Sequence, residues 1–276
     1  MIRSLLDLGG QNPAFSESNN RYFGTTDGEF FQIQHHPDQF LGYLSLSGVD
    51  PSRKLASGSN QIAIIDLLRD SQWSTTLRGE ELSWKTIAYC CYQNELGVEW
   101  KNKFSETITL ESVVEKLLAQ EEIACLGTHK TMAIVCYSNL QRRAEGNTST
   151  TAKVIAYLDK KLEEIRTSQR SDGAFDIPAE LVDQRYYLSV GTDILYTGHT
   201  LEYLMALEST DPTAEWVRRA VYYLCLAIGN RKKRFESLDF GNEKYCSEFG
   251  QLCHAIAGLR RWQNRISQME ILHVEQ

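Results

Sequence analysis

The sequence predicts an all-α protein whose helical hairpins close into a ring of inner and outer helices. Three observations lead there. From Pro37 onward, apolar residues recur at helical spacing, and no run of alternating strand pattern interrupts them. The predicted helices are joined by short loops, which favours antiparallel hairpins. No tight 34- or 40-residue repeat of an open solenoid is present. Instead a glycine followed within a few residues by a histidine heads three helix-patterned segments, at Gly127-Thr128-His129, Gly198-His199 and Gly250-Gln251-Leu252-Cys253-His254.

The elements follow in order. Residues 1–35 are polar and turn-rich, with Gly9-Gly10-Gln11-Asn12-Pro13 and Asp27-Gly28, and read as an irregular lead-in. Pro37 suits the first turn of a helix through Gln39-Phe40-Leu41-Gly42-Tyr43-Leu44. The run Ile62-Ala63-Ile64-Ile65 leads into a second helix that breaks at Ser74-Thr75-Thr76. A third is expected from Glu80 to Asn94, with Leu82, Ile87, Ala88 and Cys91 on one stripe. Thr109-Leu110-Glu111-Ser112 has the chemistry of an N-terminal cap before Val113, Val114, Leu117 and Leu118. A fifth helix carries His129 to about Arg143, and a sixth runs through Val154, Leu158 and Ile165. Ser171-Asp172-Gly173-Ala174-Phe175-Asp176-Ile177-Pro178 is a strong turn. Helices over 200–207, 213–228 and 245–265 complete the set, giving one helical domain over 36–265 and a tail over 266–276.

Composition bounds the function. A chain of 276 residues, 42% hydrophobic and 24% charged, can bury a sizeable core. Its formal charge of −7 argues against nucleic acid as a partner, which would call for clustered Lys and Arg on one face. The basic run Arg231-Lys232-Lys233-Arg234 is short and follows a helix end, where it complements the dipole. No segment has the ~20 apolar residues of a membrane span, and residues 1–10 lack the pattern of a secretory signal. Seven cysteines, odd in number and scattered through apolar patterns, do not form a disulfide framework. A reducing, cytoplasmic setting is the expectation.

The stretch Gln169-Arg170-Ser171-Asp172-Gly173-Ala174-Phe175 resembles the Gln-x-x-Asp-Gly-x-aromatic turn of the terpene cyclase and protein prenyltransferase α/α toroids. That resemblance implies a turn ending an outer helix, with the inner helix of Gly198-His199 after it. The chain also resembles, over residues 30–262, an uncharacterised bacterial family with that fold. The shared features are His36-Pro37-x-Gln39-Phe40-Leu41, Gly79-Glu80-Glu81-Leu82-Ser83, Cys125-x-Gly127-Thr128-His129 and Gly198-His199-x-Leu201-Glu202. The activities of the toroid enzymes do not carry over. Neither an Asp-x-Asp-Asp nor an Asp-Asp-x-x-Asp motif occurs, and no Asp-x-Cys pair is present to hold zinc.

The candidate site residues are His129, His199, Glu202 and His254. A histidine at a helix head has its pKa lowered by the dipole, which favours the neutral imidazole of a general base or metal ligand. Glu202 lies three residues after His199, so the two share a helix face. Cys and His are zinc-ligand types, but no Cys-x-x-Cys or His-Glu-x-x-His occurs, so the cofactor stays open with zinc the metal to consider. The competing reading of each histidine is a helix cap or loop contact, with glycine allowing close packing; recurrence in separate hairpins favours a site. His35-His36 and Glu80-Glu81 are weaker candidates. The aromatics Tyr186-Tyr187, Tyr196, Tyr203, Tyr222-Tyr223, Trp84 and Trp262 read as core or groove lining.

Two functions follow. One is an enzyme that handles a small organic or peptide substrate in a central cavity, with His/Glu acid–base or metal-assisted chemistry. The other is a helical scaffold binding a peptide or protein partner. They differ in convergence: an enzyme needs the four residues at one pocket, and a scaffold scatters them.

Overall fold

The computed structural model describes residues 15–18, 21–24, 36–57, 60–78, 81–121, 124–178, 191–236 and 243–274. Among them the chain is mostly helical, and every sheet is a two-stranded antiparallel hairpin. Backbone contacts divide the chain into two compact units, one of residues 1–122 and 136–152, the other of 123–135 and 153–276.

In the first unit, hairpins alternate with helices. Strands β1 (Phe15–Ser18) and β2 (Arg21–Gly24) pair antiparallel within the lead-in, where turn chemistry alone predicts irregular chain. Aromatic residues Phe15, Tyr22 and Phe23 suit extended backbone better than the flanking turn formers suggest. Helix α1 (Gln39–Leu46) buries Phe40, Leu41 and Leu44. Strands β3 (Lys54–Ser57) and β4 (Asn60–Ala63) set buried Leu55 opposite buried Ile62, so Ile62 and Ala63 finish a strand before helix α2 (Ile64–Ser74) begins.

The helix expected over 80–94 is two: α3 (Ser83–Cys91) and α4 (Gln93–Leu96). They part at Tyr92, which leaves helical geometry while its hydroxyl donates to the Val49 carbonyl at 2.5 Å. Strands β5 (Glu99–Lys101) and β6 (Thr107–Thr109) form a third hairpin. Its loop is organised by buried Asn102, whose amide donates to the Thr75 carbonyl and whose carbonyl accepts the Phe104 and Glu106 N–H groups. The Thr109 cap of helix α5 (Leu110–Ala119) is present as a reciprocal capping box with Ser112. Leu68, Leu82, Ile87, Val113, Val114 and Leu117 are wholly or almost wholly buried in this unit.

Helix α6 (Thr128–Arg143) and helix α7 (Ser149–Thr167) follow, close to where their sequence patterns begin and end. The second unit then turns at Ser171–Phe175. Gly173 has φ +97, and a Cβ there would lie 2.3 Å from the Arg219 carbonyl oxygen, so only glycine fits. The Gln169 amide donates to the Gly173 and Trp216 carbonyls at 3.0 and 2.7 Å, and buried Phe175 meets Trp216 edge-on. This ties the turn to the start of helix α9 (Glu215–Asn230), which lies beyond helix α8 (Thr192–Ala206). The short α10 (Lys232–Glu236) holds part of the basic run.

The last element, α11 (Glu243–Val274), is 32 residues long and passes through the expected tail boundary at 265. Part of the reason it continues is Arg265, which points back to α8. Its guanidinium donates to the carbonyls of Met205, Leu207, Glu208 and Thr210, at 2.6 to 3.3 Å. Those include carbonyls at the C-terminus of α8, which no helical N–H can reach. Trp262 adds a donor to the Pro212 carbonyl. No helix among the described residues is long and apolar enough to cross a membrane.

Candidate functional site

The site begins as a close approach of two backbones. Gly198 on α8 lies so near α11 that a Cβ would stand 2.6 Å from the Ala255 nitrogen and 2.8 Å from its Cα. On the other side, a Cβ on Gly258 would meet the Gly198 carbonyl oxygen at 2.9 Å. Absent side chains at this crossing let α8 and α11 touch, and the residues beside them are forced together.

Those residues are His199 and Glu202 from α8 and His254 from α11. The His254 Nδ1 lies 2.7 Å from Glu202 Oε2 and the His199 Nδ1 lies 3.3 Å from the same oxygen. The two imidazoles lie over one another, with centroids 3.5 Å apart and planes 31° apart. His129, on the first turn of α6, meets His199 edge-on at 5.4 Å between centroids. All four residues that the sequence marks as candidates therefore come together in the second unit. His129 and His199 are buried, and the Glu202 and His254 side chains are 12% and 15% exposed.

The route to convergence differs from the one expected. His129 does stand at a helix head, but His199 sits seven residues into α8 and His254 eleven residues into α11. Neither feels a helix N-terminus, whose influence falls off within the first turn. Their helices start earlier because Thr192-Asp193-Ile194-Leu195-Tyr196 and Glu243 onward are themselves helical. The three glycines also differ in role. Gly127 closes a left-handed turn in which Cys125, Leu126 and Gly127 have φ of 45°, 59° and 72°. Gly198 makes the helix crossing, and around Gly250 a side chain would meet open space. Gly258 heads no helix and so escapes a search for glycines at helix starts, although its position four residues after His254 places it on the same helix face.

Electrostatics are set by burial. Burial, reinforced by the charge of His254, lowers the His199 pKa to about 3 even though Glu202 pulls it up, so His199 is neutral at ordinary pH. For Glu202, burial alone would push the pKa up. The opposing pull of His254 and the hydrogen bonds from both imidazoles prevail, and the carboxyl is held well below its usual range as a carboxylate. Next to His254, burial and then the Glu202 charge push the Cys253 thiol up.

Comparison of the chain with protein-family models, with curated proteins and with solved structures finds no match. The chemistry therefore rests on the site. It offers a nearly buried carboxylate in contact with two imidazoles, with a third imidazole edge-on to His199. Each of His199, Glu202 and His254 has a donor atom within 4.8 Å of the others.

The weaker candidates are placed as follows. His36 belongs to the first unit, where its Nδ1 lies 2.8 Å from Glu81 Oε2. Trp84 packs over Gly42 and against Tyr43, Tyr196 and Tyr203 are buried, and the exposed Tyr222 lies on α9. The hydroxyl of Tyr223 donates to Asp193. His35, Glu80, Tyr186 and Tyr187 lie outside the described residues. Among the described residues Cys90, Cys91, Cys125, Cys136, Cys225 and Cys253 form no disulfide.

Proposed function

We propose that this chain is an enzyme whose reaction centre is the His199–Glu202–His254 cluster, working by acid–base chemistry on a small organic substrate. The observation that carries the reading is one ionised, nearly buried carboxylate in contact with two imidazoles. Structural packing alone gives little reason to gather four ionisable groups at a helix crossing, because burying charge costs free energy unless it is paired. A scaffold would not draw His129, His199 and His254 from three separate helices to one place.

The roles follow from the geometry. Glu202 accepts the Nδ1–H of His254, which fixes that tautomer and leaves Nε2 as the base. When Nε2 takes a proton, the carboxylate stabilises the imidazolium, as the acidic member of a catalytic triad does. His254 is the more accessible of the two stacked rings, at 15% against 6% exposure, and so is the one placed to meet substrate. His199 stays neutral and packs beneath it. The toroid arrangement belongs to the same proposal; what supports it is the Gln169–Phe175 turn after α7, where the Gln169 amide holds the Gly173 and Trp216 carbonyls.

The test works with the substrate unidentified. Purified protein is incubated with a complex metabolite extract, and consumption is followed by untargeted mass spectrometry, with Glu202→Gln in parallel. At least one metabolite should be consumed by the wild type and spared by the variant, with rates differing on the order of 10²–10⁴. The variant should melt with an intact cooperative transition. If nothing is consumed, or both proteins consume alike, the reading is wrong.

A further inference from the structure

We infer that the same cluster is a metal site, in which His199, Glu202 and His254 bind one divalent first-row transition ion. The first ground is the donor set. Two imidazoles and one carboxylate are the three protein ligands of one common class of catalytic zinc site, and the same set serves non-haem iron. Donors bound to one ion at about 2.0–2.1 Å stand no more than about 4.2 Å apart, and the three candidate donor atoms already lie within 4.8 Å of one another. Only small side-chain shifts separate the present arrangement from a coordinated one. Sites of this kind are built in helical bundles from side chains on facing helices, and the spacing His199-x-x-Glu202 puts two of the donors on one face of α8.

The second ground is independent of the first. His199 is 5% exposed and its Nε2 is buried without a hydrogen-bond partner. Whichever ring nitrogen carries a proton, protein groups leave Nε2 unsatisfied. With the proton on Nδ1, donated to Glu202, a bare Nε2 lone pair is buried with nothing to accept from. With the proton on Nε2, a buried donor is unused and the Nδ1 lone pair faces a carboxylate oxygen 3.3 Å away. Buried polar groups are rarely left in this state. A cation bound at Nε2 resolves it: the ion takes up that lone pair, the Nδ1–H stays on Glu202, and the ion's charge offsets the carboxylate. Three protein ligands leave a coordination position for water or substrate, which is the arrangement of catalytic rather than structural zinc.

The inference rests on the reading of this cluster as a reaction centre only for its chemical consequence: with an ion bound His254 would serve as a ligand, whereas the metal-free cluster keeps it as the base, and binding itself is measured without substrate. The whole chain, purified without an affinity tag and stripped with chelator, is titrated calorimetrically with Zn²⁺ and, as a spectroscopic stand-in, with Co²⁺. One equivalent should bind, the cobalt form should show the visible bands of a low-coordinate site, and zinc should raise the melting temperature through linkage. His254→Ala and Glu202→Gln should each weaken binding at least tenfold, and His254→Gln, which keeps a polar side chain there, should weaken it as much if the alanine variant fails to fold. Circular dichroism of each stripped variant separates lost binding from lost fold. Absence of stoichiometric binding to the wild type, or equal binding by the folded variants, overturns the inference. Metal binding without metabolite consumption would sink the enzyme reading alone, and Glu202-dependent consumption without metal binding would sink this one alone.

Discussion

At the scale of single residues, burial without a counter-charge decides the behaviour of the tyrosines. Tyr92 and Tyr137 are buried, and burial in the first instance pushes each phenol up to about 12. The raised folded-state value means that the neutral phenol is favoured on folding. Its contribution is fully present below pH ~10, where the unfolded phenol begins to ionise, and is lost as pH rises toward 12. Above pH ~10 each such group should cost about 1.4 kcal/mol of stability per pH unit. An alkaline titration followed by phenolate absorption should therefore show a late group of tyrosines that ionises together with loss of the helical signal. Tyr92→Phe should move that unfolding to higher pH. Smooth ionisation of all thirteen tyrosines near pH 10 with the helices intact would contradict this account.

Between elements, the crossing of α8 and α11 is what assembles the site, and it turns on glycines that a helical pattern alone does not rank. Gly198→Val would drive a side chain into the α11 backbone. An overpacked contact of this kind costs about 1–3 kcal/mol. Because His199 and Glu202 flank the contact, the same variant should separate Glu202 from His254 and abolish zinc binding while the helical signal persists. Gly250→Ala is the matched control. It adds a methyl group where nothing lies within 4 Å, and should be neutral or stabilising by up to about 1 kcal/mol, with binding retained. Denaturant melts and calorimetry on the two variants read both quantities, and equal behaviour of the pair would show that the crossing does not hold the site.

Across the molecule, helix pattern and cap chemistry are legible in the sequence, and three-dimensional meeting points are legible only through residue type. The Thr109 cap, α6, α7 and the Asp172-Gly173 turn stand where local signals put them, because each is stabilised by neighbours in sequence. The three hairpins are not legible, since strands of three or four residues carry too little alternation to outweigh adjacent helices. Histidines beside glycines lead to His129, His199, Glu202 and His254, yet the expected reason, a helix head, holds for His129 alone. What brings His199 and His254 together is a backbone contact between residues 57 positions apart, Gly198 and Ala255, and no local pattern encodes that. Neutrality of His199 is likewise expected from the dipole and arises instead from burial.

The long final helix has a consequence for synthesis. His254, the Ala255–Gly258 face that covers Gly198, and the Arg265 guanidinium all reside on α11, which leaves the ribosome after every other element of its unit. Until it arrives, α8 has bare C-terminal carbonyls and an uncovered apolar face, and a nascent chain halted before residue 243 offers a protease open backbone in place of the His199–Glu202–His254 cluster. A chain ending at residue 242 should be cut by a low dose of protease within α8, at sites that the full chain protects. Adding a separate peptide of residues 243–274 should restore that protection; equal protection of the truncated chain without the peptide would show that α8 is held by something else.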